Sequence, residues 1–223
     1  MAKEYIRETK IFGNVKNFGG ILMYEDGENG MQWAVSGNVA NPKCIICDDV
    51  ALSGGGSLRL YNNNESAVDG KYITIKKPFN ITESQIISVE AIFRFKNVDK
   101  YKEFVINIYL NDESKIYKAA FKSIRLSSKF QYLNSGETYT DLLAAGGLFY
   151  LGTWQYLKFG FNKTTGKYTD FQINKRTFDM SGITVFSDTG YAGTNCYIEI
   201  TPSQYSNVTN FDCYIDSVLI RGD

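Results

Sequence analysis

The chemistry-bearing residues of this chain are carboxylates, tyrosines, lysines and four cysteines, because none of its 223 residues is a histidine. That absence removes Ser-His-Asp and Cys-His nucleophiles, imidazole general bases and histidine-ligated zinc. What remains suits recognition. Glu90 and Arg94 alternate with Val89, Ala91, Phe93 and Phe95, and Tyr109 alternates with Ile106, Ile108 and Leu110. Trp154, Tyr156 and Asp170 fall between the apolar positions Leu157, Phe159, Phe171 and Ile173. All six stand out of phase with the apolar residues of their own runs, so on strands they face away from the core. An aromatic ring beside fixed donors and acceptors is what a pyranose requires. Its C–H face packs on the ring while its hydroxyls take the hydrogen bonds. The pattern predicts a stacking platform of Trp154, Tyr156 and Tyr109, with Glu90, Arg94 and Asp170 as hydrogen-bonding neighbours. Lys158, Tyr168 and Gln172 extend the same polar face. The solvated face of any antiparallel sheet shows the same alternation.

The remaining carboxylates and the cysteines offer less. Glu25, Asp26 and Glu28 sit in a glycine-punctuated loop where solvated charge is the ordinary state. Glu90 stands alone on its run. Cys44 and Cys47 have C-x-x-C spacing, but in a strand-like run residues three apart point to opposite faces. Buried free thiols are the expected state of all four cysteines. A Cys196–Cys213 disulfide would need neighbouring strands and an oxidising compartment.

The elements that must position these residues are strands. Trp154 to Asn174 reads as a β-hairpin, two alternating runs joined by the polar turn Asn162–Gly166 with a glycine able to take positive φ. Further strands are expected around Tyr5–Phe12, Trp33–Val35, Lys43–Asp48, Ser57–Tyr61, Lys71–Ile75, Ile86–Phe95, Glu103–Leu110, Ile116–Leu126, Phe130–Leu133, Asn195–Ile200 and Cys213–Arg221. Asn134–Thr153 and Thr184–Thr194 read as long irregular loops, a length that often accompanies function. Sixteen tyrosines and 15 phenylalanines against only 3 prolines, without an amphipathic helix pattern, make this β composition. The expectation is an all-β, two-sheet antiparallel jelly-roll β-sandwich as one domain over residues 1–223, with Phe93, Phe95, Ile106, Leu157, Phe159 and Phe171 in its core.

The formal net charge is zero and no basic block stands out, which argues against a nucleic-acid partner. No apolar run approaches the roughly 20 residues of a membrane span. The N-terminal MAKEYIRETK lacks the apolar segment of a secretory signal, so the expectation is a chain that is cytoplasmic or part of an assembled particle, delivered by another route, or trimmed of its leader.

Two sets of residues resemble known families. Tyr24-Glu25-Asp26-Gly27 followed by Trp33, then Ser53-Gly54 and Ser57-Leu58-Arg59-Leu60, is similar to the opening of jelly-roll carbohydrate-binding modules. Trp154, Leu157, Lys167-Tyr168, Asn174 and the closing Tyr214-Ile215-Asp216-Ser217-Val218 resemble the concanavalin A-like lectin and laminin-G group. The resemblance implies a two-sheet sandwich and a glycan or polysaccharide partner. It also implies one structural calcium between Glu25 of the opening loop and Asp216 of the last strand, with loop carbonyls completing an all-oxygen shell. The glycosidases of this fold carry a Glu-x-Asp-x-x-Glu strand, and nothing in this sequence matches it. The expectation is a non-catalytic glycan-binding module and not an enzyme. The alternative is a structural or adhesion component of a virion, tail or surface assembly, using the sandwich for contacts with other structural proteins.

Overall fold

A computed structural model describes residues 21–25, 32–39, 42–52, 56–62, 70–81, 84–96, 101–112, 115–143, 149, 152–189, 196–205 and 211–222. Every regular element among them is a strand, and the strands form two antiparallel sheets. This is the jelly-roll β-sandwich the alternation predicts.

One sheet runs in the order β13 (Arg176–Asp179), β12 (Lys167–Ile173), β11 (Gln155–Asn162), β6 (Ile86–Phe95), β16 (Phe211–Gly222), β4 (Ser57–Asn62) and β3 (Lys43–Cys47). Strand β1 (Ile21–Glu25) lies along the second half of β16, where β4 has ended. The other sheet runs β10 (Tyr139–Leu143), β9 (Lys129–Leu133), β8 (Lys115–Ile124), β7 (Tyr101–Asp112), β15 (Cys196–Gln204), β5 (Ile73–Phe79) and β2 (Ala34–Gly37). A short strand, β14 (Phe186–Asp188), pairs with the start of β8. We call the two the β6 sheet and the β7 sheet.

Their inner faces make the core. Ile87, Val89, Ala91, Phe93 and Phe95 of β6 meet Phe104, Ile106, Ile108 and Leu110 of β7, all of them buried. Phe93 and Phe104 bring their ring centroids within 4.3 Å, and Phe159 stacks on Phe171 at 5.1 Å. All six residues expected in the core are there. The hairpin forms as expected, with Gly166 at φ +65° in its turn and Asn162 Oδ1 accepting a bond from Thr165 N–H. Gly160 is required for another reason. A Cβ at that position would lie 2.7 Å from the Ile87 carbonyl oxygen and 2.9 Å from Ser88 Cβ.

Two irregularities alter the expected faces. The β11–β12 register shifts between the Phe159 and Phe161 pairs, so Tyr168 and Phe171 both turn inward. Tyr168 is therefore a core residue and not part of the polar face. Its hydroxyl crosses to the other sheet, donating to the Leu133 carbonyl at 2.8 Å and accepting from Ala120 N–H at 3.2 Å. A second shift lies between Ile215 and Ser217 in the pairing of β16 with β6, and it leaves Asp216 as the extra residue.

The expected loop 134–153 contains β10, and the loop 184–194 contains β14. The expected strand Tyr5–Phe12 and the acids Asp26 and Glu28 lie outside the described residues, as do Ser53 and Gly54. All four cysteines are free thiols, and Cys44, Cys196 and Cys213 are buried. Burial pushes the Cys44 thiol up to about 12. Cys196 and Cys213 stand on different sheets.

Candidate ligand-binding face

The outer face of the β6 sheet carries five of the six residues expected to bind ligand. Glu90 of β6 stands beside Lys158 of β11, and its carboxylate is 1% exposed. The Tyr156 hydroxyl donates to Glu90 Oε2 at 3.0 Å, and Arg221 Nε–H donates to Oε1 at 3.1 Å. Tyr156 is in turn fixed by Asn174, which takes the left-handed conformation at φ +54° just after β12. Asn174 Oδ1 accepts from Tyr156 N–H, and Asn174 N–H donates to the Tyr156 carbonyl. Burial and then the Glu90 carboxylate hold the Tyr156 phenol far above its usual range. Trp154 and Tyr156 pack against Ile92, Leu219 and Tyr24 in an apolar cluster of their own. Asp170 sits opposite Asp179 near the sheet edge. Arg94 is half-buried, and its Nε atom is covered without a hydrogen-bond partner. This face is packed rather than open: Ile92, Tyr214, Ser217, Leu219 and Arg221 are all buried.

Tyr109 is elsewhere. It lies on β7, on the outer face of the other sheet, so the expected platform of Trp154, Tyr156 and Tyr109 does not assemble. A single strand's alternation separates inside from outside but does not say which of the two outer faces a residue joins.

Around Tyr109 the structure gathers residues that the sequence did not bring together. Cross-strand pairing sets Tyr109 against Tyr197 of β15, with ring centroids 4.4 Å apart and planes 24° apart. Lys76 of β5 places its ammonium 3.3 Å from the Tyr197 ring centre, and Lys118 of β8 lies over Tyr109 at 5.5 Å. Lys122 lies over Tyr139 of β10 at 4.9 Å. Each of these lysines also faces a carboxylate: Lys76 with Glu199 at 3.8 Å, Lys118 with Glu137 at 3.2 Å and Lys122 with Glu103 at 3.1 Å. At the β9–β10 end Asp141 accepts from Lys129 at 2.6 Å and from Gln131 at 2.7 Å, which draws its carboxyl below the usual range. In the middle, between Ala120 and Glu199, stands Asn107, whose side-chain oxygen is covered and receives no hydrogen bond. Burial, followed by Glu103 and Glu137, pushes the Tyr139 phenol up to about 12. The signal for this face was present in Tyr197, Glu199 and Thr201, which alternate with the buried Cys196, Ile198 and Ile200.

The calcium expectation fares differently at its two residues. Glu25 is buried and its carboxylate is ion-paired with Lys77 of β5, a contact that ties the two sheets together. A dication at Glu25 would sit against that ammonium, so Glu25 does not fit the ligand role. Asp216 Oδ1 accepts from Leu52 N–H at 2.6 Å. Among the described residues no three side chains of His, Cys, Asp or Glu cluster as a metal site. No helix among them is long and apolar enough to cross a membrane.

No family model matches the sequence, and no curated protein is similar to it. Similarity is found in solved structures. The cellulose-induced protein Cip1 is 14% identical with a TM-score of 0.60, the match covering 90% of this chain and 97% of that one. A carbohydrate esterase of the Shiga toxin-encoding bacteriophage phi24B is 13% identical with a TM-score of 0.55, covering 92% of this chain and all of that one, at 100%. The exoplasmic/lumenal domain of VIP36, in its Ca2+- and Man3GlcNAc-bound form, is 9% identical with a TM-score of 0.50, covering 92% and 91%. The esterase corrects the expectation that this chain is not an enzyme. The missing Glu-x-Asp-x-x-Glu strand removes one arrangement of acid and base, while the fold itself is one that carries enzymes. At these identities the likeness is one of fold: this chain has the concanavalin A-like, jelly-roll β-sandwich fold.

Proposed function

We propose that the protein binds a glycan on the outer face of the β7 sheet, around Tyr109 and Tyr197. The observation that supports this is the interleaving of three tyrosines with Lys–Glu pairs whose side chains keep part of their surface open. Lys76 and Glu199 keep 43% and 22% of their side-chain surface, against 6% and 1% for Arg221 and Glu90 on the other face. Sugars are held by such mixtures of aromatic carbon and fixed hydrogen-bonding groups. The glycan-bound VIP36 domain, of the same fold, supports the reading at the level of the scaffold.

A glycan array followed by titration of the best ligand tests the reading. Tyr197→Ala should weaken binding by ~2 kcal/mol or more, as truncating an interface anchor does, with the fold intact by circular dichroism. If no glycan binds the parent protein at millimolar concentration, the face is a protein-contact surface and the assembly alternative takes its place.

A further inference from the structure

We infer that the protein forms a two-fold dimer through the edge of the β6 sheet, with β3 of one copy pairing antiparallel to β3 of the second. The inference is independent of the glycan reading above. Strand β3 pairs with β4 on one side, and among the described residues it has no strand on the other. An edge of this kind presents unpaired N–H and C=O groups, which proteins ordinarily shield with charge, proline or a covering element. At the other three sheet ends, β13, β10 and β2, no large apolar side chain among the described residues is exposed. The β3 edge differs. Ile45 and Ile46 are 40% and 37% exposed, and Leu52, in the stretch between β3 and β4, is 49% exposed. Consecutive strand residues point to opposite faces, so this edge is apolar on both sides of the sheet. A strand laid alongside β3 covers both isoleucines.

Charge identifies that strand. Lys43 opens β3, and Asp48 and Asp49 follow its end, all three exposed. Lys43 lies over the Tyr61 ring at 5.8 Å, and among the described residues it meets no carboxylate. An antiparallel partner in one continuous sheet keeps its side chains on the same faces, so when β3 meets its own copy the residues set opposite each other have numbers of the same parity. With Ile46 opposite Ile46 on the two-fold axis, Ile45 meets Cys47, and Asp49 of each copy comes to the end where the other copy's Lys43 stands. A register centred on Ile45 sets Lys43 against Cys47 instead and leaves both acids unmatched. In the first register β3 is its own complement, with a base at one end, acids at the other and apolar side chains between. Both copies use the same edge, so the contact closes at two. The axis stands perpendicular to the joined sheet, which puts both β7 sheets on one side of it. The two faces proposed to bind glycan then look the same way, and a polymeric ligand meets two sites at once.

Analytical ultracentrifugation of the intact protein tests this at about 100 µM, where a strand-edge interface of small size is populated. The parent should sediment as a dimer and dissociate on dilution. Ile45→Lys puts a charge at the middle of the contact and should weaken the dimer tenfold or more, with a circular dichroism spectrum like the parent's. The sharper test is a mixture. Lys43→Glu sets acid against acid at both ends of the contact, and Asp49→Lys sets base against base, so each variant alone should dimerise at least tenfold more weakly than the parent. Mixed in equal amounts, they pair an acid with a base at both ends, and a heterodimer should form with close to the parent's affinity. Lys43 and Asp49 of one copy lie at opposite ends of β3, so this rescue has no explanation within a single chain. A parent that stays monomeric overturns the inference. So does a dimer that Ile45→Lys leaves intact, or a mixture that dimerises no better than its two components.

Discussion

Glu90 on the β6 sheet and Glu199 on the β7 sheet occupy equivalent outward positions, and each faces a cation, yet the two faces are built for different work. Glu90 lies under its neighbours with Arg221 and the Tyr156 hydroxyl filling both its oxygens. Glu199 meets Lys76 at 3.8 Å, with 22% of its side chain still open. Buried ion pairs lose little to screening, but desolvation makes them costly to break on one side only. Exposed pairs add little stability and rearrange easily. The first kind fixes a structure, and the second leaves a surface able to exchange partners with a ligand.

The largest expected effect follows from that contrast. Glu90→Ala removes the carboxylate that faces the buried Arg221 guanidinium, and should cost ~3–5 kcal/mol in denaturant unfolding. A loss below about 1 kcal/mol would place Glu90 in the same class as the pairs of the other sheet. Trp154→Ala comes next. The indole is half-buried against Ile92 and Leu219, so its removal should cost about 1.5–3 kcal/mol, the worth of one large apolar side chain. Glycan affinity should stay as it was. Were Trp154→Ala to abolish binding with no loss of stability, the ligand face would be the β6 sheet and the comparison would reverse.

How much of this could be read from the sequence depends on the length scale of each interaction. The inward residues of β6, β7 and β11 follow from alternation, because a strand turns every second side chain the same way. Tyr168 does not, since the bulge in β12 shifts the phase by one residue and nothing in Lys167–Asp170 announces it. Glu90 reads as a lone outward acid because Arg221 lies 131 residues away along the chain. Trp154, Tyr156 and Glu90 do share a face, as their phases suggest, but that face is packed. Tyr109 has the right phase on the wrong sheet, and its neighbours Tyr197, Lys76 and Lys118 come from three other strands. The site depends on strand order, which is a property of long-range pairing.

Alkaline pH separates a tyrosine on the open face from one in water. The Tyr139 phenol is raised to about 12, first by burial and then by Glu103 and Glu137. In the unfolded chain it ionises near its ordinary value of about 10. The folded state thus holds the proton more tightly, and Tyr139 contributes stability that is intact below about pH 10 and lost as pH rises toward 12. Urea unfolding across that window should show a shallower decline in Tyr139→Phe than in the parent. Equal slopes would mean that this phenol is more solvated than its place beside Lys122 suggests.

The smallest effect is the most telling for the open face. Lys122 faces Glu103 at 3.1 Å and lies 4.9 Å from the Tyr139 ring centre, while its side chain remains 17% exposed and that of Glu103 33%. Both partners keep access to water, so the charge has little to lose on being separated. Lys122→Ala should therefore destabilise the protein by only about 0.2–1 kcal/mol, a cost that shrinks further in high salt. The ion pair and the ring contact both contribute to that small figure, and Lys122→Met keeps most of the apolar stem while removing the charge. If Met restores stability and Ala does not, the stem packing on Tyr139 matters more than the ion pair. A loss from Lys122→Ala as large as that from Glu90→Ala would show that the β7 face is as locked as the β6 face. A face locked in that way could not open its pairs to a hydroxyl.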